Sequence, residues 1–243
     1  MRGAVVGALA ALLSLSGLSL SGLSAAKAAD LTPAPLLKAP SYIPAQFMWT
    51  GFYVGASVGW GFGSSSFNDP YPLALVAAGS PRLSGLLLGG VTGINYQIGS
   101  VVIGFEGDFT GSWAKGSVTD AAGNFLTTEV MWTSTVAARF GWAFDRLLIY
   151  GKGGGAFDQD RNTAALPNGA NDMGSTYRAG WDLGAGAEYA VTDHLIVRLA
   201  YDYMKFPSKD ITFQGNALMG NTPVNSSVGV TLNQIKGIIE YKF

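Results

Sequence analysis

The sequence predicts an all-β fold, namely an eight-stranded antiparallel up-and-down transmembrane β-barrel. Three observations predict it. Bulky apolar side chains alternate with small or polar ones in eight segments, and short and long connections alternate between those segments. The chain also carries only 13% charged residues, against roughly 25% in soluble globular domains, and its 34 glycines among 243 residues are about twice the usual share.

The N-terminal part of the chain is predicted to lie outside the barrel. Residues 1–28 have the pattern of an export signal, with one early arginine, an apolar segment and the A-x-A cleavage site Ala26-Lys27-Ala28. A transmembrane helix is the alternative, but serine and glycine interrupt the second half of the apolar segment. Residues 29–48 form a Pro-rich periplasmic leader, since proline favours extended, solvated backbone. The barrel domain is therefore predicted at 49–243.

Eight segments follow the period of two that marks a β-strand. They are Phe52–Gly63, Ser84–Gln97, Val101–Trp113, Val130–Phe144, Leu147–Phe157, Gly180–Ala190, Leu195–Met204 and Val228–Phe243. The second segment is ambiguous, because its start is apolar on both faces. In the fourth, the bulky face is predicted to carry Val130, Trp132 and Phe140.

The fifth segment contains GKGGGAF, in which a lysine among glycines is typical of phosphate-binding loops. The Walker spacing is absent, because Gly153 follows Lys152 and because Arg146 stands where the first glycine is needed. Only a polar loop follows, whereas a phosphate loop opens a helix. The sequence therefore predicts a glycine-rich strand that points Lys152 away from the apolar face.

The connections between the segments alternate in length. Those near 98–99, 145–146 and 191–194 are short, and those at Ser64–Leu83, Ala114–Thr128, Asp158–Tyr177 and Lys205–Ser227 are long. Short turns at one rim and long loops at the other are typical of bacterial outer-membrane barrels. The long loops hold the candidates for recognition of a surface partner, which are Phe67, Tyr71, Arg82, Phe125, Arg161 and Phe213.

Side-chain size indicates which face of each strand points inward. The interior of an eight-stranded barrel is just wide enough for side chains to fill it, which suits the face with Gly55, Gly59 and Gly184. The opposite face carries Trp60, Trp113, Trp132, Trp142 and Trp181. A soluble barrel such as a lipocalin would hold its bulky apolar residues inside. Here they must point outward, and an apolar surface of this extent is stable only in lipid.

Aromatic side chains are predicted to form a girdle at each rim of the barrel. The short-turn rim carries Phe52, Tyr96, Phe140, Trp142, Phe144, Tyr189, Tyr241 and Phe243. The long-loop rim carries Trp60, Phe62, Trp113, Trp132, Phe157, Trp181, Tyr201 and Tyr203.

The small-residue face also carries the charges of the strands. The acids are Glu106, Asp108, Asp182, Glu188, Asp202 and Glu240, and the bases are Arg139, Lys152, Arg178, Arg198, Lys236 and Lys242. Because buried charges are tolerated only when they are paired, this balanced set predicts a network of ion pairs that closes the lumen. A path for protons or ions is the alternative.

The composition excludes most catalytic and metal chemistry. The chain has no cysteine and one histidine, so thiolate and multi-histidine metal sites are excluded. That residue, His194, is predicted in a periplasmic turn beside Asp193, where a solvated turn residue is expected rather than a catalytic group. We expect no enzyme activity, cofactor or metal ion, and a net charge of −1 gives no attraction to nucleic acid. Heme held by loop aromatics, Met173 or Met219 stays open.

Five stretches together resemble the small outer-membrane β-barrel proteins of alphaproteobacteria, which are relatives of the OmpA membrane domain and of opacity-type surface proteins. They are WTGFYVGASVGW, IGFEGDF, RFGWAFDRLLIYGKGGGAF, GWDLGAGAEYAVTDHLIVRLAYDY and YKF, and the resemblance covers about Trp49 to Phe243. It implies a barrel held in outer-membrane lipids and inserted by the outer-membrane assembly machinery. That machinery reads terminal aromatics, here Phe243 with Tyr241 in the same strand. Members of this group serve as envelope proteins, surface antigens or adhesins.

Two lumen positions depart from the pattern of that family. Ala200 stands where glutamate is common, and Lys236 stands where arginine is common. The ion-pair network is therefore expected to differ in detail. The sequence as a whole predicts a structural or surface-exposed protein of a Gram-negative outer membrane, with an adhesin-like or antigen-like role carried by its four long loops. A small porin is the alternative.

Overall fold

The computed structural model describes residues 46–68, 81–119, 123, 125–165, 171–213 and 224–243, all within the compact unit Ala45–Phe243. These parts of the chain form nine strands and no helix. The strands are β1 (Gly51–Asn68), β2 (Arg82–Ile98), β3 (Val101–Ser112), β4 (Lys115–Thr119), β5 (Phe125–Phe144), β6 (Leu147–Ala165), β7 (Asn171–Ala190), β8 (Leu195–Phe213) and β9 (Val224–Lys242). Both β3 and β4 pair with β5, so together they act as one interrupted strand.

Antiparallel pairing closes these strands into a barrel. With β3 and β4 taken as one strand, each strand pairs with its neighbours in the chain, and β1 pairs with both β2 and β9. The closing seam runs from Tyr53↔Lys242 to Asn68↔Ser227. With β3 and β4 counted as one, the barrel has eight strands, which confirms the predicted fold class. Closure leaves no sheet edge within the apolar band, where an unpaired backbone group would be costly.

The turns at 99–100, 145–146 and 191–194 lie at one end of the barrel, here called the lower rim. The strand ends that the four long connections join lie at the other end, the upper rim. The strands extend farther toward the upper rim than predicted, because β6 continues to Ala165 and β7 begins at Asn171. Above the apolar band both faces of a strand are polar. The hydrophobic period therefore disappears from the sequence while the hydrogen-bonded ladder continues.

The outward faces carry the bulky apolar side chains, as predicted. Trp60 is 54% exposed and Phe105 is 66% exposed, whereas the inward residues between them in the chain are mostly buried. Period-two alternation in every strand produces this separation. Among the described residues, no helix is long and apolar enough to cross a membrane.

Val130 is a correction to the predicted faces. It was assigned to the outward face with Trp132, but its side chain is 0% exposed and points into the lumen. The register of β5 against β6 shifts between Val130 and Trp132, which is a β-bulge. Since one extra residue reverses the alternation, Val130 faces opposite to the side that the period of two predicts.

The wall of the barrel opens above the apolar band between β7 and β8. Their pairing ends at Trp181↔Lys205, although β7 stays paired with β6 as far as Asn171↔Ala165. Pro207 follows directly in β8, at a register shift between Phe206 and Lys209. Proline has no N–H to donate to a ladder, so the two strands separate at this point.

Candidate functional site

The lumen is the candidate functional site, because the chemically distinctive side chains of the barrel converge there. The structure places all eleven charged residues predicted for a lumen network in the interior, and all are buried. They are Glu106, Asp108, Arg139, Lys152, Arg178, Asp182, Glu188, Arg198, Asp202, Lys236 and Glu240. Six different strands supply them, so the network connects opposite walls of the barrel.

Glu106 on β3 lies at the centre of the lower part of this network. Its Oε2 accepts a hydrogen bond from the Tyr53 hydroxyl at 2.8 Å, and its Oε1 accepts one from Lys152 Nζ at 3.1 Å. The guanidinium groups of Arg139 and Arg198 also donate to this carboxylate. A buried carboxylate with four donors is well compensated for its loss of water.

Two arginines connect Glu106 to the other glutamates. Arg198 Nε lies 2.8 Å from Glu188 Oε1, and Arg198 Nη2 lies 2.6 Å from Glu240 Oε1. Arg139 also pairs with Glu188. The planar fork of a guanidinium group allows each arginine to contact several carboxylates at once.

Tyrosine rings pack against these two arginines. The sequence analysis did not predict that tyrosines take part in the network. The guanidinium carbon of Arg139 lies 4.0 Å from the centre of the Tyr150 ring, and that of Arg198 lies 5.3 Å from the centres of both the Tyr53 and the Tyr150 rings. Cation–π contact of this kind supports a buried cation. The signal was available, since both tyrosines stand on the small-residue face of their strands.

A second group of ion pairs lies above the first. Lys236 Nζ is 2.8 Å from Asp108 Oδ2 and 3.0 Å from Asp202 Oδ2. Lys152 Nζ is 2.9 Å from Asp202 Oδ1 and 3.9 Å from Asp182 Oδ2. Because Lys152 also binds Glu106, it connects the two groups into one network.

A third cluster lies higher in the barrel, where Arg178 of β7, which is predicted for the lumen, contacts β6 residues that the sequence places in the loop Asp158–Tyr177. Arg178 Nη2 lies 2.7 Å from Asp158 Oδ2 and 3.3 Å from Asp160 Oδ2. Asn162 donates to Asp160 at 2.6 Å and accepts from the Thr128 hydroxyl at 2.8 Å. The signal for this cluster was its spacing, since these β6 residues continue the inward series of Lys152.

The predicted balance of six acids and six bases is wrong for the described lumen. Asp158 and Asp160 add two acids, and Lys242 lies at the lower rim with its Nζ 5.0 Å from the centre of the Phe47 ring. The buried set in the described parts of the chain therefore contains eight acids and five bases.

An apolar layer closes the lower end of the lumen. It consists of Phe47, Trp49, Val102, Ala143, Leu148, Ala190 and Ile196. The residues before β1 fold back into it, with Trp49 Nε1 donating to the carbonyl oxygen of Asp145 at 3.0 Å and Phe47 N donating to Asp145 Oδ1 at 3.0 Å. The predicted boundary between leader and barrel, after residue 48, thus cuts through this layer. Residues 1–45, with the predicted signal and most of the leader, lie outside the described residues.

A second apolar layer lies between the central network and the Arg178 cluster. It consists of Leu83, Val130, Ala156, Met204, Phe206, Val230 and Leu232. The inward residues of β6 give the position of this layer along the barrel axis, because Ala156 lies between Lys152 of the central network and Asp158 of the Arg178 cluster. Side chains therefore fill the lumen in alternating apolar and charged layers.

The other predicted candidates lie apart from the lumen. His194 is exposed in its turn, stacks on Tyr241 at 5.5 Å between ring centres, and lies with Nδ1 2.8 Å from the carbonyl oxygen of Lys242. Asp193 pairs with Arg146 at 2.8 Å instead of orienting the imidazole. In the described parts of the chain, no group of three or more His, Cys, Asp or Glu side chains is arranged to hold a metal ion.

The predicted loop candidates divide into two groups. Arg82, Phe125 and Arg161 lie on strands and are exposed. Phe67 and Phe213 also lie on strands, but their side chains, like Tyr71 and Met219 as a whole, lie outside the described residues. The exposed Met173 lies near the start of β7.

The predicted assembly aromatics lie at the seam that closes the barrel. Phe243 N donates to the carbonyl oxygen of Phe52 at 3.0 Å, and the Phe243 ring lies 5.7 Å from the Phe52 ring and 5.1 Å from the Tyr241 ring. The last residue thus extends the contact between the last strand and the first.

Comparison with known proteins gives consistent results. A family model described as the outer membrane protein β-barrel domain matches residues 12–233. The chain is 32% identical to a 31 kDa outer-membrane immunogenic protein of Brucella melitensis, over 96% of this chain and 99% of that protein. It is 28% identical to a 22 kDa outer membrane protein of Rhizobium leguminosarum, over 93% and 96%. Among solved structures, the outer membrane protein OprG from Pseudomonas aeruginosa has a similar fold, with a TM-score of 0.52 at 14% identity over 80% of this chain and 96% of that chain.

Proposed function

This chain belongs to the family of outer membrane protein β-barrel domains, and from that premise we propose that it is a closed barrel with a structural and surface-exposed role in the envelope. It is located in the outer membrane of a Gram-negative bacterium, as its relatives are. In this proposal the barrel holds four connections at the upper rim on the outside of the cell. The rigid wall positions these connections for contact with a partner.

The filled lumen is the observation that carries the proposal. Two apolar layers, one that contains Trp49 and one that contains Met204 and Phe206, lie below and above the central ion-paired network. A porin needs a continuous polar path, whereas an ion that entered this lumen would have to displace packed apolar side chains and break buried ion pairs. This arrangement favours a scaffold over the small porin.

We assign recognition of a surface partner to the upper-rim connections for two reasons: the described barrel offers no other site for it, and a relative of this chain is named as an immunogenic outer-membrane protein. The described part of the barrel presents no catalytic constellation, and His194 lies at the opposite rim from the long connections. The Brucella relative is named an immunogenic protein, which fits a surface that other molecules can reach. We therefore place any adhesin-like contact in residues 69–81, 120–124, 166–170 and 214–223, without enzyme activity.

Assembly is assigned to the seam at the end of β9. Tyr241 and Phe243 are exposed toward lipid and lie beside the first strand. We propose that the outer-membrane assembly machinery reads these two aromatic side chains during insertion, as the resemblance to related barrels implies.

Shortening the four upper connections tests the proposed function. Each is replaced by a short Gly-Ser connection, and adhesion to host or abiotic surfaces, detergent sensitivity of the envelope and uptake of small solutes are measured separately. The matched control alters the turn at 99–100 on the lower rim. Lost adhesion with an intact envelope is expected. Unchanged adhesion together with altered uptake would overturn the proposal and favour the porin.

A further inference from the structure

The outward face of the barrel changes character above the upper aromatic girdle. In β1 the exposed series passes from Phe62 to Ser64 and Ser66, and in β2 it passes from Leu86 to Ser84 and Arg82. Such a change marks the height at which a strand leaves the hydrocarbon and enters the headgroup region. Residues just above it face the headgroups of the surrounding lipid.

Besides Lys209, which donates to the carbonyl oxygen of Tyr177, four exposed cations lie at or above this height in the described residues. Lys205 pairs directly with Trp181 of the girdle, and Lys115 stands two residues beyond Trp113. Arg82 and Arg161 lie farther from the apolar band on their own strands. We refer to Arg82, Lys115, Arg161 and Lys205 as the basic collar.

The basic collar lacks acidic partners of its own. None of its four side chains forms an ion pair among the described residues, in contrast to the charges of the lumen. Glu129 is the one described acid that faces outward at this height. It is opposite both Lys115 and Arg161 in the ladder, yet it pairs with neither. The described outer surface at this level therefore carries more positive than negative charge.

Arg82 and Lys115 are placed to act on one ligand. Ser84 is paired with Lys115, so Arg82 is the diagonal neighbour of Lys115 on the adjacent strand. Diagonal neighbours stand about 7–8 Å apart, and both side chains are long enough to converge on one group between them. A guanidinium and an ammonium that converge from one face are suited to a phosphate.

We propose that the basic collar binds the phosphate groups of lipopolysaccharide, the phosphorylated glycolipid of the outer leaflet. Two observations support this assignment. The collar lies at the level of the lipid headgroups, and its positive charge is complementary to the negative charge of phosphate, which a neutral headgroup lacks. The orientation is that of the proposed function, on which this inference rests. Each cation near an anionic lipid surface is expected to strengthen binding about fivefold.

Titration of lipopolysaccharide into the folded barrel in a neutral detergent tests the proposal. The triple variant Arg82→Gln, Lys115→Gln, Lys205→Gln is expected to bind about a hundredfold more weakly than the wild type. Dephosphorylated lipopolysaccharide should bind the wild type as weakly as intact lipopolysaccharide binds the triple variant. The matched control Lys242→Gln removes a cation at the lower rim and should leave the affinity unchanged. A faster-migrating unboiled band on gels verifies that each variant is folded.

Any one of four results would overturn the inference. The triple variant could bind as tightly as the wild type, the dephosphorylated lipid could bind equally well, or Lys242→Gln could weaken binding as much as the triple variant. Saturation by inorganic phosphate alone, with no preference for the lipid, would also overturn it, since it would indicate a site for free phosphate. The titration does not depend on orientation in the cell, so its outcome is separable from a failure of the proposed function.

Discussion

At the scale of single residues, Arg198 shows how the lumen tolerates so much buried charge. Its guanidinium contacts Glu106, Glu188 and Glu240, and two tyrosine rings face it. Among the described residues, Glu240 has no other cation within ion-pair distance. Removing one partner of a buried ion pair leaves the other charge uncompensated. This lowers the stability of the fold more than replacing both partners with apolar residues does.

We therefore expect Arg198→Met to destabilise the barrel by about 3–5 kcal/mol. The measurement is urea unfolding of the protein folded into lipid vesicles, followed by tryptophan fluorescence. The double variant Arg198→Met, Glu240→Gln should regain part of the loss, because the stranded carboxylate is gone. The control Arg161→Ala, at an exposed arginine that forms no ion pair with any described residue, should change stability by less than about 0.5 kcal/mol. A loss for Arg198→Met as small as that of the control would refute the role given to the network.

A second residue-scale prediction concerns Phe243. Its ring is exposed toward lipid and contacts only the Phe52 and Tyr241 rings among the described aromatics. Phe243→Ala should slow insertion into the outer membrane severalfold, while the finished barrel loses only about 0.5–1.5 kcal/mol of stability. Pulse-chase labelling that follows the fast-migrating folded band gives the rate. An unchanged rate with a strongly destabilised barrel would assign Phe243 to packing instead of assembly.

Residue-level inference from the sequence was strongest where the period of two is unbroken. Gly184, Glu188 and Trp181 were assigned to the correct faces because β7 has no irregularity below its upper end. Val130 was assigned to the wrong face because a bulge leaves no mark in the apolar pattern. Asp158 and Asp160 were missed since two acids beside a polar stretch look the same in a loop and in an extended strand.

At the scale of elements, the segment before β1 is the least expected part of the structure. A Pro-rich leader gives no sign that its end packs inside a barrel, yet Phe47 and Trp49 complete the lower apolar layer. The contacts are tertiary, because Asp145 in a distant turn and Gln97 near the end of β2 accept its backbone and indole N–H groups. No local pattern in the sequence could have revealed them.

Trp49→Ala is expected to destabilise the barrel by about 3–5 kcal/mol, since it removes a fully buried indole and its hydrogen bond. The same unfolding measurement in vesicles gives the value. Met48→Ala is the matched control, because its side chain is 57% exposed and its loss should cost less than about 0.5 kcal/mol. Equal effects of the two substitutions would show that the segment does not seal the lower end.

The separation of β7 from β8 also could not be predicted from the sequence. Pro207 is visible as a residue that cannot donate to a ladder, but the predicted strand ended before it, at Met204, so its effect on the wall was not considered. In the structure, Lys209 Nζ crosses the opening and donates to the carbonyl oxygen of Tyr177 at 2.9 Å. Interstrand geometry of this kind depends on register, which apolar periodicity does not fix once both faces are polar.

At the scale of the whole molecule, the orientation in the membrane follows from the rims. Short turns face the periplasm in outer-membrane barrels, and the lower rim carries all three short turns. The chain has no cysteine, so single cysteines can report accessibility without background. Ser66→Cys, near the top of β1, should react with a membrane-impermeant maleimide on intact cells, and Asp193→Cys in the lower turn should react only after lysis. The reverse pattern would place the long connections in the periplasm.

Ionic current through the purified barrel distinguishes a closed lumen from an open one. The wild-type protein is inserted into a planar lipid bilayer and current is recorded at fixed voltage in concentrated salt. Because two packed apolar layers and buried ion pairs lie across the described lumen, we expect no steady conductance above the bare bilayer. Large, reproducible open-channel steps from protein verified as folded would contradict the account and identify the barrel as a small porin.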